Sequence, residues 1–270
     1  MLNPLPSDLG SNSAIYFAFT GRFGQYISTR DSSPVIGKRY NPKIFIRFWG
    51  DKEEGDAKHS NYIDIGYNHE SNGQAINSKN GYDQAVSQAI ANKDKGTGAN
   101  DLISRSWNFL DVNYKQKKIQ TIADTVKNKF FTVDASGYFG LKYFIPSKTE
   151  EFNGLGGINP QGLSGWETDP QGKPRQQVDG ISAALKGSIY SEDKFKGKYY
   201  LGYTTGIHNA GTFNTWRAEL TFNLASVDLP IIKQLDVPFT CFKQIGYNSD
   251  LAQYYKKVSS VGCYIDIGSI

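Results

Sequence analysis

Hydrophobic and polar residues alternate one by one through most of this chain. The clearest stretch is "WRAELTFNL", in which apolar and polar side chains take turns from Trp216 to Leu224. Because successive side chains of a β-strand point to opposite faces, a period of two residues predicts strands with one apolar and one polar face. The pattern predicts an all-β, antiparallel, up-and-down fold whose ten readable strands lie near residues 13–27, 42–50, 60–72, 104–116, 129–146, 178–190, 197–207, 214–225, 236–247 and 257–269.

The polar faces of these strands carry charges in mid-strand, for example at Arg47, Lys142, Lys186 and Arg217. In a soluble sandwich such residues would face water. In a membrane barrel they would line the lumen, where charges can pair away from lipid. The alternation alone leaves both alternatives open.

The long connections favour the barrel. Residues 29–40, 74–103 and 147–178 would all lie at one end if the strands alternate in direction. Long loops at one end and shorter loops at the other are typical of outer-membrane barrels, as is an even number of strands. In the second of these loops "YDQAVSQAIAN" predicts a short amphipathic helix, and "KKIQTIADTVKNK" predicts a helical turn at the opposite end.

Composition narrows the class of protein further. The 270 residues contain no apolar run long enough for a transmembrane helix, and a net charge of +4 gives no indication of nucleic-acid binding. The aromatic share of 14% suits strands and interfacial girdles. Cys241 and Cys263 lack the number and spacing of a metal site. On neighbouring strands they form either a cross-strand disulfide or two small apolar side chains, and we adopt the second interpretation.

A candidate catalytic pair lies in "IDIGYNHESNG", residues 63–73. As a strand, this segment places His69 and Ser71 at the end of an otherwise apolar face. Serine becomes a nucleophile when a base takes its proton, and that base needs an orienting partner. The next predicted strand, in "SRSWNFLDVNY", offers Asn108 on the corresponding apolar face. The sequence therefore predicts a Ser71–His69–Asn108 triad, whose neutral orienting residue suits a lipid-facing site.

"YNHESNG" followed by "SRSWN" resembles the bacterial outer-membrane phospholipase A family. "SSP" at residues 32–34, "GYNSDLAQYY" and "VGCYIDIG" follow the same family pattern. The resemblance implies a single twelve-stranded outer-membrane β-barrel domain over residues 1–270, here without the family's signal peptide and first two strands. We accordingly expect the seam between the strands near residues 13–27 and 257–269 to be open or only partly hydrogen-bonded.

The resemblance also implies an activity, a metal and an assembly. The activity is calcium-dependent hydrolysis of phospholipid acyl esters, as phospholipase A1/A2, in the outer membrane of a Gram-negative bacterium. His69 resembles the base, Ser71 the nucleophile and Asn108 the orienting residue, while Gly73 would offer a backbone N–H to the oxyanion beside a calcium-bound water. The calcium ligands would be the Ser104 hydroxyl, the Gln74 carbonyl and the Ser32 carbonyl of a second subunit, in a reversible homodimer.

Two features set the chain apart from the family pattern. Gln74 stands where the family has an arginine, and the loop from Gln74 to Ile103 is longer than the usual link between the two motif blocks. A catalytically degenerate or porin-like barrel is therefore one alternative function. A soluble β-sandwich esterase is another, and dependence of folding on detergent distinguishes it from the two barrels.

Overall fold

The computed structural model of the protein describes residues 2–10, 12–22, 38–50, 61–74, 76, 79–91, 102, 104–124, 129–145, 175–191, 194–223, 238–247, 251 and 257–265. Its strands are β1 (Leu2–Gly10), β2 (Ser13–Arg22), β3 (Arg39–Trp49), β4 (Tyr62–Ser71), β5 (Ser106–Asp124), β6 (Lys129–Phe144), β7 (Gly180–Ser191), β8 (Lys194–Gly206), β9 (Thr215–Asn223), β10 (Pro238–Tyr247) and β11 (Lys257–Ile265). Helix α1 (Lys79–Ala91) lies between β4 and β5, and the single turn α2 (Arg175–Val178) precedes β7.

All of these strands belong to one sheet, in which each strand pairs antiparallel with the next along the chain. The predicted all-β, up-and-down fold is confirmed, and α1 is the helix expected in the loop after Gln74. None of the helices in the described part of the chain is long and apolar enough to cross a membrane.

Strand β1 is the element that the alternation missed, so the expected ten strands are one short of the eleven in the described sheet. Its sequence "LNPLPSDLG" holds two prolines, which cannot donate to a ladder and are confined to outer strands, strand starts and bulges. The pairing of β1 with β2 is accordingly irregular, with register shifts between Pro4 and Gly10. The outer edge of β2 pairs with β1, and among the described residues β11 forms no ladder with β1 or β2, so the seam expected to be open has no pairing there.

Two further expectations from local sequence are wrong. The segment read as a helical turn after Gln116 continues β5 to Asp124, and β5 pairs with β6 without interruption from Phe109 to Asp124. Cross-strand pairing here overrides local helical preference. Cys241 and Cys263 lie directly opposite each other on β10 and β11, 4.1 Å apart between Cα atoms, and form a disulfide. Directly opposed positions of an antiparallel pair bring two cysteines within bridging distance.

One face of the sheet, here called the polar face, is buried and carries paired charges. Arg47 on β3 makes a bidentate contact with Asp64 on β4, at 2.7 and 2.8 Å. Lys43 on β3 reaches Asp111 on β5 at 2.8 Å. Two aromatic clusters share this face, one around stacked Tyr16 and Phe45 and one around Trp107, Phe109 and Phe144.

The opposite face, here called the apolar face, is exposed. Large side chains on strands from β2 to β11 keep between 39 and 71% of their surface accessible at Phe17, Ile44, Ile65, Leu110, Leu141, Leu185, Leu201, Leu220 and Val261. Soluble proteins rarely expose a contiguous apolar surface of this extent. A buried polar face and an exposed apolar face are instead typical of barrels whose outer wall meets lipid.

Candidate active site

The pairing of β4 with β5 positions the predicted catalytic residues. His69 lies directly opposite Asn108, and Ser71 lies directly opposite Ser106. All four positions fall on the apolar face, near the end where β4 finishes and β5 begins. His69, Ser71 and Asn108 are each half-buried. The alternation of two strands thus brings a base, a hydroxyl and an amide to one edge of the apolar face.

His69 and Asn108 contact each other through their side chains. The Nδ1 atom of His69 lies 2.9 Å from the Oδ1 atom of Asn108. Because an amide oxygen only accepts hydrogen bonds, this contact assigns the proton to Nδ1 and leaves Nε2 as the basic nitrogen. The Tyr67 hydroxyl donates a second hydrogen bond, of 2.6 Å, to the same Asn108 oxygen. The amide of Asn108 is thereby held from two sides.

The turn that follows Ser71 is tied to β5 through Asn72. The Asn72 side-chain oxygen accepts the backbone N–H of Arg105 at 2.9 Å and that of Gln74 at 3.3 Å. Its own backbone N–H donates to the Arg105 carbonyl at 3.1 Å. Asn72 is fully buried, so these bonds are shielded from water. They fix the backbone immediately after the candidate nucleophile.

Gly73 occupies a conformation that requires glycine. Its φ angle is +57°, in the left-handed region that L side chains rarely adopt. A Cβ atom at this position would also lie 2.9 Å from the ring of Tyr40. The turn therefore needs glycine at the position expected to offer a backbone N–H to an oxyanion.

A buried ion cluster lies behind the pair, on the polar face. Glu70, between His69 and Ser71 in the chain, is fully buried and forms ion pairs with Arg39 and with Arg175, the latter at 3.4 Å. Arg175 also contacts Asp179 at 2.7 Å, and Lys142 contacts Asp179 at 2.9 Å. Burial raises the pKa of Asp179, but Lys142 and Arg175 together hold that pKa well below its usual range. The cluster links β3, β4 and β6 to the segment before β7.

The expected calcium ligands fall partly within the described chain. Backbone hydrogen bonds from Ile76 to Leu102, at 2.9 Å, and from Ser104 to Ile76, at 2.8 Å, close the long loop at its base. They place Ser104 beside the segment that begins at Gln74, despite the length of the loop. Ser32 lies outside the described residues.

The chemistry of this donor set fits calcium. Among the described residues no group of three His, Cys, Asp or Glu side chains is placed to hold a metal. A hydroxyl and backbone carbonyls are nevertheless oxygen ligands of the kind that calcium takes. Ser104 and Gln74 therefore suit calcium better than a softer metal.

An apolar groove adjoins the His69–Asn108 pair. It encloses about 650 Å³ on the apolar face, and its lining includes Ile44, Ile65, Tyr67, Leu110 and Tyr143. Tyr67 belongs both to this lining and to the hydrogen bonds around Asn108. An acyl chain in the groove would therefore lie next to the polar residues.

Sequence reasoning gave no role to Tyr67, Asn72 or Glu70. Tyr67 could have been found, because it lies two positions before His69 and hence on the same strand face. The role of Asn72 depends on backbone groups of Arg105, and that of Glu70 on Arg175, which is 105 positions away. No local pattern reveals either partner.

Comparisons with known proteins bear on the family and the fold. The family model "Phospholipase A1" matches residues 4–97, a range that contains His69 and Ser71 and ends before Asn108. No curated protein matches the sequence. The chain is similar to the outer membrane phospholipase dimer with bound calcium from Salmonella typhi, with a TM-score of 0.54 and 15% identity over 98% of this chain and 74% of that one.

It is also similar to outer membrane phospholipase A from Escherichia coli, with a TM-score of 0.53 and 15% identity over 98% of this chain and 80% of that one. At this identity the structural likeness shows the fold, so the predicted β-barrel is confirmed. The polar face is accordingly the lumen side and the apolar face the outer wall. The family model thus supports the predicted resemblance over residues 4–97, which include "YNHESNG", and the barrel fold extends over 98% of the chain.

Proposed function

We propose that this protein is a calcium-dependent phospholipase of the outer membrane of a Gram-negative bacterium, which hydrolyses acyl ester bonds of phospholipids. The observation that carries the proposal is the 2.9 Å contact between His69 and Asn108 on a lipid-facing wall. A histidine held in one tautomer beside a serine is the arrangement of a serine hydrolase. Its position on the outer wall suits a substrate that is itself part of the membrane.

The chemistry would proceed in two steps. The Ser71 hydroxyl attacks the acyl carbonyl, its proton passes to Nε2 of His69, and the C–O bond to the glycerol oxygen breaks as that oxygen takes the proton. Water then attacks the acyl-serine with His69 again as the base, which releases the fatty acid and restores Ser71. Asn108 keeps Nδ1 protonated throughout, and the backbone N–H of Gly73 donates to the oxyanion.

Calcium would be held by the Ser104 hydroxyl, the Gln74 carbonyl and the Ser32 carbonyl of a second subunit. When bound there, the ion supplies positive charge close to the developing oxyanion. One backbone N–H is a weak oxyanion hole by itself, which is the reason to expect a metal requirement. A ligand from a second subunit would also make the active form a reversible homodimer; the similar protein from Salmonella typhi is a dimer with bound calcium.

The test is hydrolysis of a phospholipid ester by the purified barrel in detergent, with calcium or with excess chelator. We expect turnover with calcium only, no turnover by Ser71→Ala or His69→Ala, and residual turnover by Asn108→Ala. Ser104→Ala should raise the calcium concentration needed for half-maximal rate. Ser106→Ala is the matched control, because Ser106 pairs with Ser71 on the same wall and has no proposed role.

Two results would overturn the proposal. Undiminished turnover by Ser71→Ala would show that Ser71 is not the nucleophile and that the proposed triad is wrong. A folded wild-type barrel with no turnover at any calcium concentration would instead favour a degenerate, non-enzymatic barrel.

A further inference from the structure

We propose that Arg175 is a positioning residue for the candidate active site. From the lumen side it holds β4 and β5 in the register that places His69 beside Asn108. Arg175 belongs to α2, outside the two strands that carry the site, and it acts on them through Glu70 and Trp107. The inference rests on the proposed function, because it names a residue that sets the geometry of the proposed reaction.

Glu70 and Trp107 lie directly behind the candidate site. They are opposite each other in the ladder of β4 and β5, and the neighbouring pair on one side is His69 with Asn108. The neighbouring pair on the other side contains the candidate nucleophile. Because successive side chains of a strand point to opposite faces, Glu70 and Trp107 point into the lumen while the candidate site points to the outer wall. Both are almost completely buried, with 0 and 2% of their surface exposed.

Arg175 contacts both members of this pair. Its Nη2 atom lies 3.4 Å from the Oε2 atom of Glu70, and its central guanidinium carbon lies 5.1 Å from the centre of the Trp107 ring. A guanidinium group can make both contacts together, because it pairs with a carboxylate in its plane and stacks on an aromatic ring through its face. One side chain therefore fastens a residue of β4 to the residue opposite it on β5.

Arg175 is itself held in place. Its Nε and Nη2 atoms lie 3.1 and 2.7 Å from the same carboxylate oxygen of Asp179. Lys142 on β6 also contacts that carboxylate, at 2.9 Å. The backbone N–H of Gly180, the first residue of β7, donates to the Asp179 carboxylate at 2.8 Å. Arg175 is therefore anchored to β6 and β7, which lets it resist movement of β4 and β5.

The candidate site needs such support because it lies at the end of the ladder. The pair of Ser71 with Ser106 ends the ladder between β4 and β5. The last pairs of a ladder open more easily than those in the middle of a sheet. A displacement of about 1 Å in a reacting group can lower a rate by about a hundredfold. A residue that holds the last pairs should therefore act on the rate of the chemical step more than on substrate binding.

The first experiment measures phospholipid hydrolysis by the purified barrel in detergent with calcium. Arg175→Met keeps an unbranched side chain but removes the charge and the planar group. Glu70 keeps its ion pair with Arg39, and Asp179 keeps its ion pair with Lys142, so we expect the variant to fold. Its kcat should fall at least about tenfold, with KM within about twofold of the wild type. Arg175→Lys should recover part of the lost kcat, because lysine keeps the charge but not the planar group.

Arg47→Met is the matched control. Arg47 is also a buried arginine of the lumen, 4% exposed, and it pairs with Asp64 on β4. Asp64 lies six positions before Glu70, which is roughly 20 Å along the strand. We expect Arg47→Met to lower the free energy of unfolding and to leave kcat within about twofold of the wild type. A loss of kcat in Arg175→Met alone would thus be specific to the back of the candidate site.

A second readout does not need turnover. The Nδ1–H of His69, whose nitrogen lies 2.9 Å from the Asn108 oxygen, is observed by NMR in a barrel whose histidines are isotopically labelled on nitrogen. Its signal is identified by its absence from His69→Ala. We expect this N–H to exchange with water slowly in the wild type and in Arg47→Met, and at least about tenfold faster in Arg175→Met.

The two readouts separate the positioning role from the proposed function. A fall of kcat in Arg175→Met together with faster exchange at His69 would support the positioning role. An equal loss of kcat in both methionine variants, a rise of KM without a fall of kcat, or unchanged exchange at His69 in Arg175→Met would overturn it. A wild-type barrel without any turnover would refute the proposed function, and the exchange at His69 would still decide whether Arg175 holds the pair.

Discussion

At the scale of single residues, the candidate site depends on one amide oxygen. The Asn108 oxygen accepts from Tyr67 at 2.6 Å and lies 2.9 Å from Nδ1 of His69. An amide oxygen has two lone pairs, so both contacts can exist together. Tyr67 is thus a positioning residue, which acts on His69 through Asn108.

Removal of the Tyr67 hydroxyl should loosen this arrangement without emptying the groove. We predict that Tyr67→Phe lowers kcat for phospholipid hydrolysis by about threefold to tenfold, the effect of one lost hydrogen bond, and leaves KM nearly unchanged. Tyr143→Phe is the matched control, since Tyr143 lines the same groove on β6. Equal loss of kcat in both variants would show that the hydroxyl acts through packing or solubility rather than through Asn108.

At the scale of elements, the ion cluster fastens the segment before β7 to the back of β4. Arg175 in α2 reaches Glu70 and Asp179, and Lys142 reaches Asp179 from β6. The backbone between His69 and Ser71 is therefore supported from the lumen side. The rigidity of this backbone depends on charged residues that are far apart in the sequence but in contact in the fold.

This cluster predicts a specific loss of stability in acid. The pKa of Asp179 is raised by burial but lowered further by its two cations, so that it lies below the value of about 3.9 expected in the unfolded chain. A carboxyl with a depressed pKa stabilises the fold above about pH 4, and that contribution is lost as the pH falls below it. Urea unfolding in micelles should show this loss.

Asp179→Asn tests the assignment. At pH 7 the variant should be less stable than the wild type by about 3 kcal/mol, because Lys142 and Arg175 lose their shared partner. Its stability should also fall less steeply between pH 5 and 3 than that of the wild type. An acid response identical to the wild type would place the titrating groups elsewhere.

The elements also show how far the sequence could be interpreted. Alternation predicted β4 and β5. The prediction that His69 and Asn108 lie on the same face depends only on the two-residue period of each strand and on the pairing of β4 with β5. Strand β1 was missed because Pro4 and Pro6 break the alternation, and its placement depends on pairing with β2. The disulfide and the Glu70–Arg175 pair depend on which distant residues meet. These contacts are set by the order and register of the strands in the whole sheet, which local patterns do not specify.

At the scale of the whole molecule, the distribution of side chains is that of a barrel in lipid. Leu185 lies in the middle of β7 on the outer wall and is 46% exposed. An arginine there would have to leave water, at a cost of about 2–4 kcal/mol near the middle of a bilayer. We predict that Leu185→Arg lowers the unfolding free energy in lipid vesicles by this amount.

Leu185→Ala is the control, because it removes apolar surface without adding charge. We expect a smaller loss of stability for this variant. If Leu185→Arg were as stable as the wild type, the outer wall would have to face water, as an exposed position of a soluble protein does.

The disulfide between Cys241 and Cys263 bears on the unfolded chain as much as on the folded one. It closes a loop between residues 22 positions apart, which by chain entropy alone is worth about 3 kcal/mol. Once the bond has formed, β10 and β11 remain tethered in register even when the rest of the barrel is open. Strands β10 and β11 would then join the sheet together, as a hairpin that has already formed. The order of disulfide oxidation and membrane insertion therefore decides whether these two strands are added to the barrel one by one or as a pair.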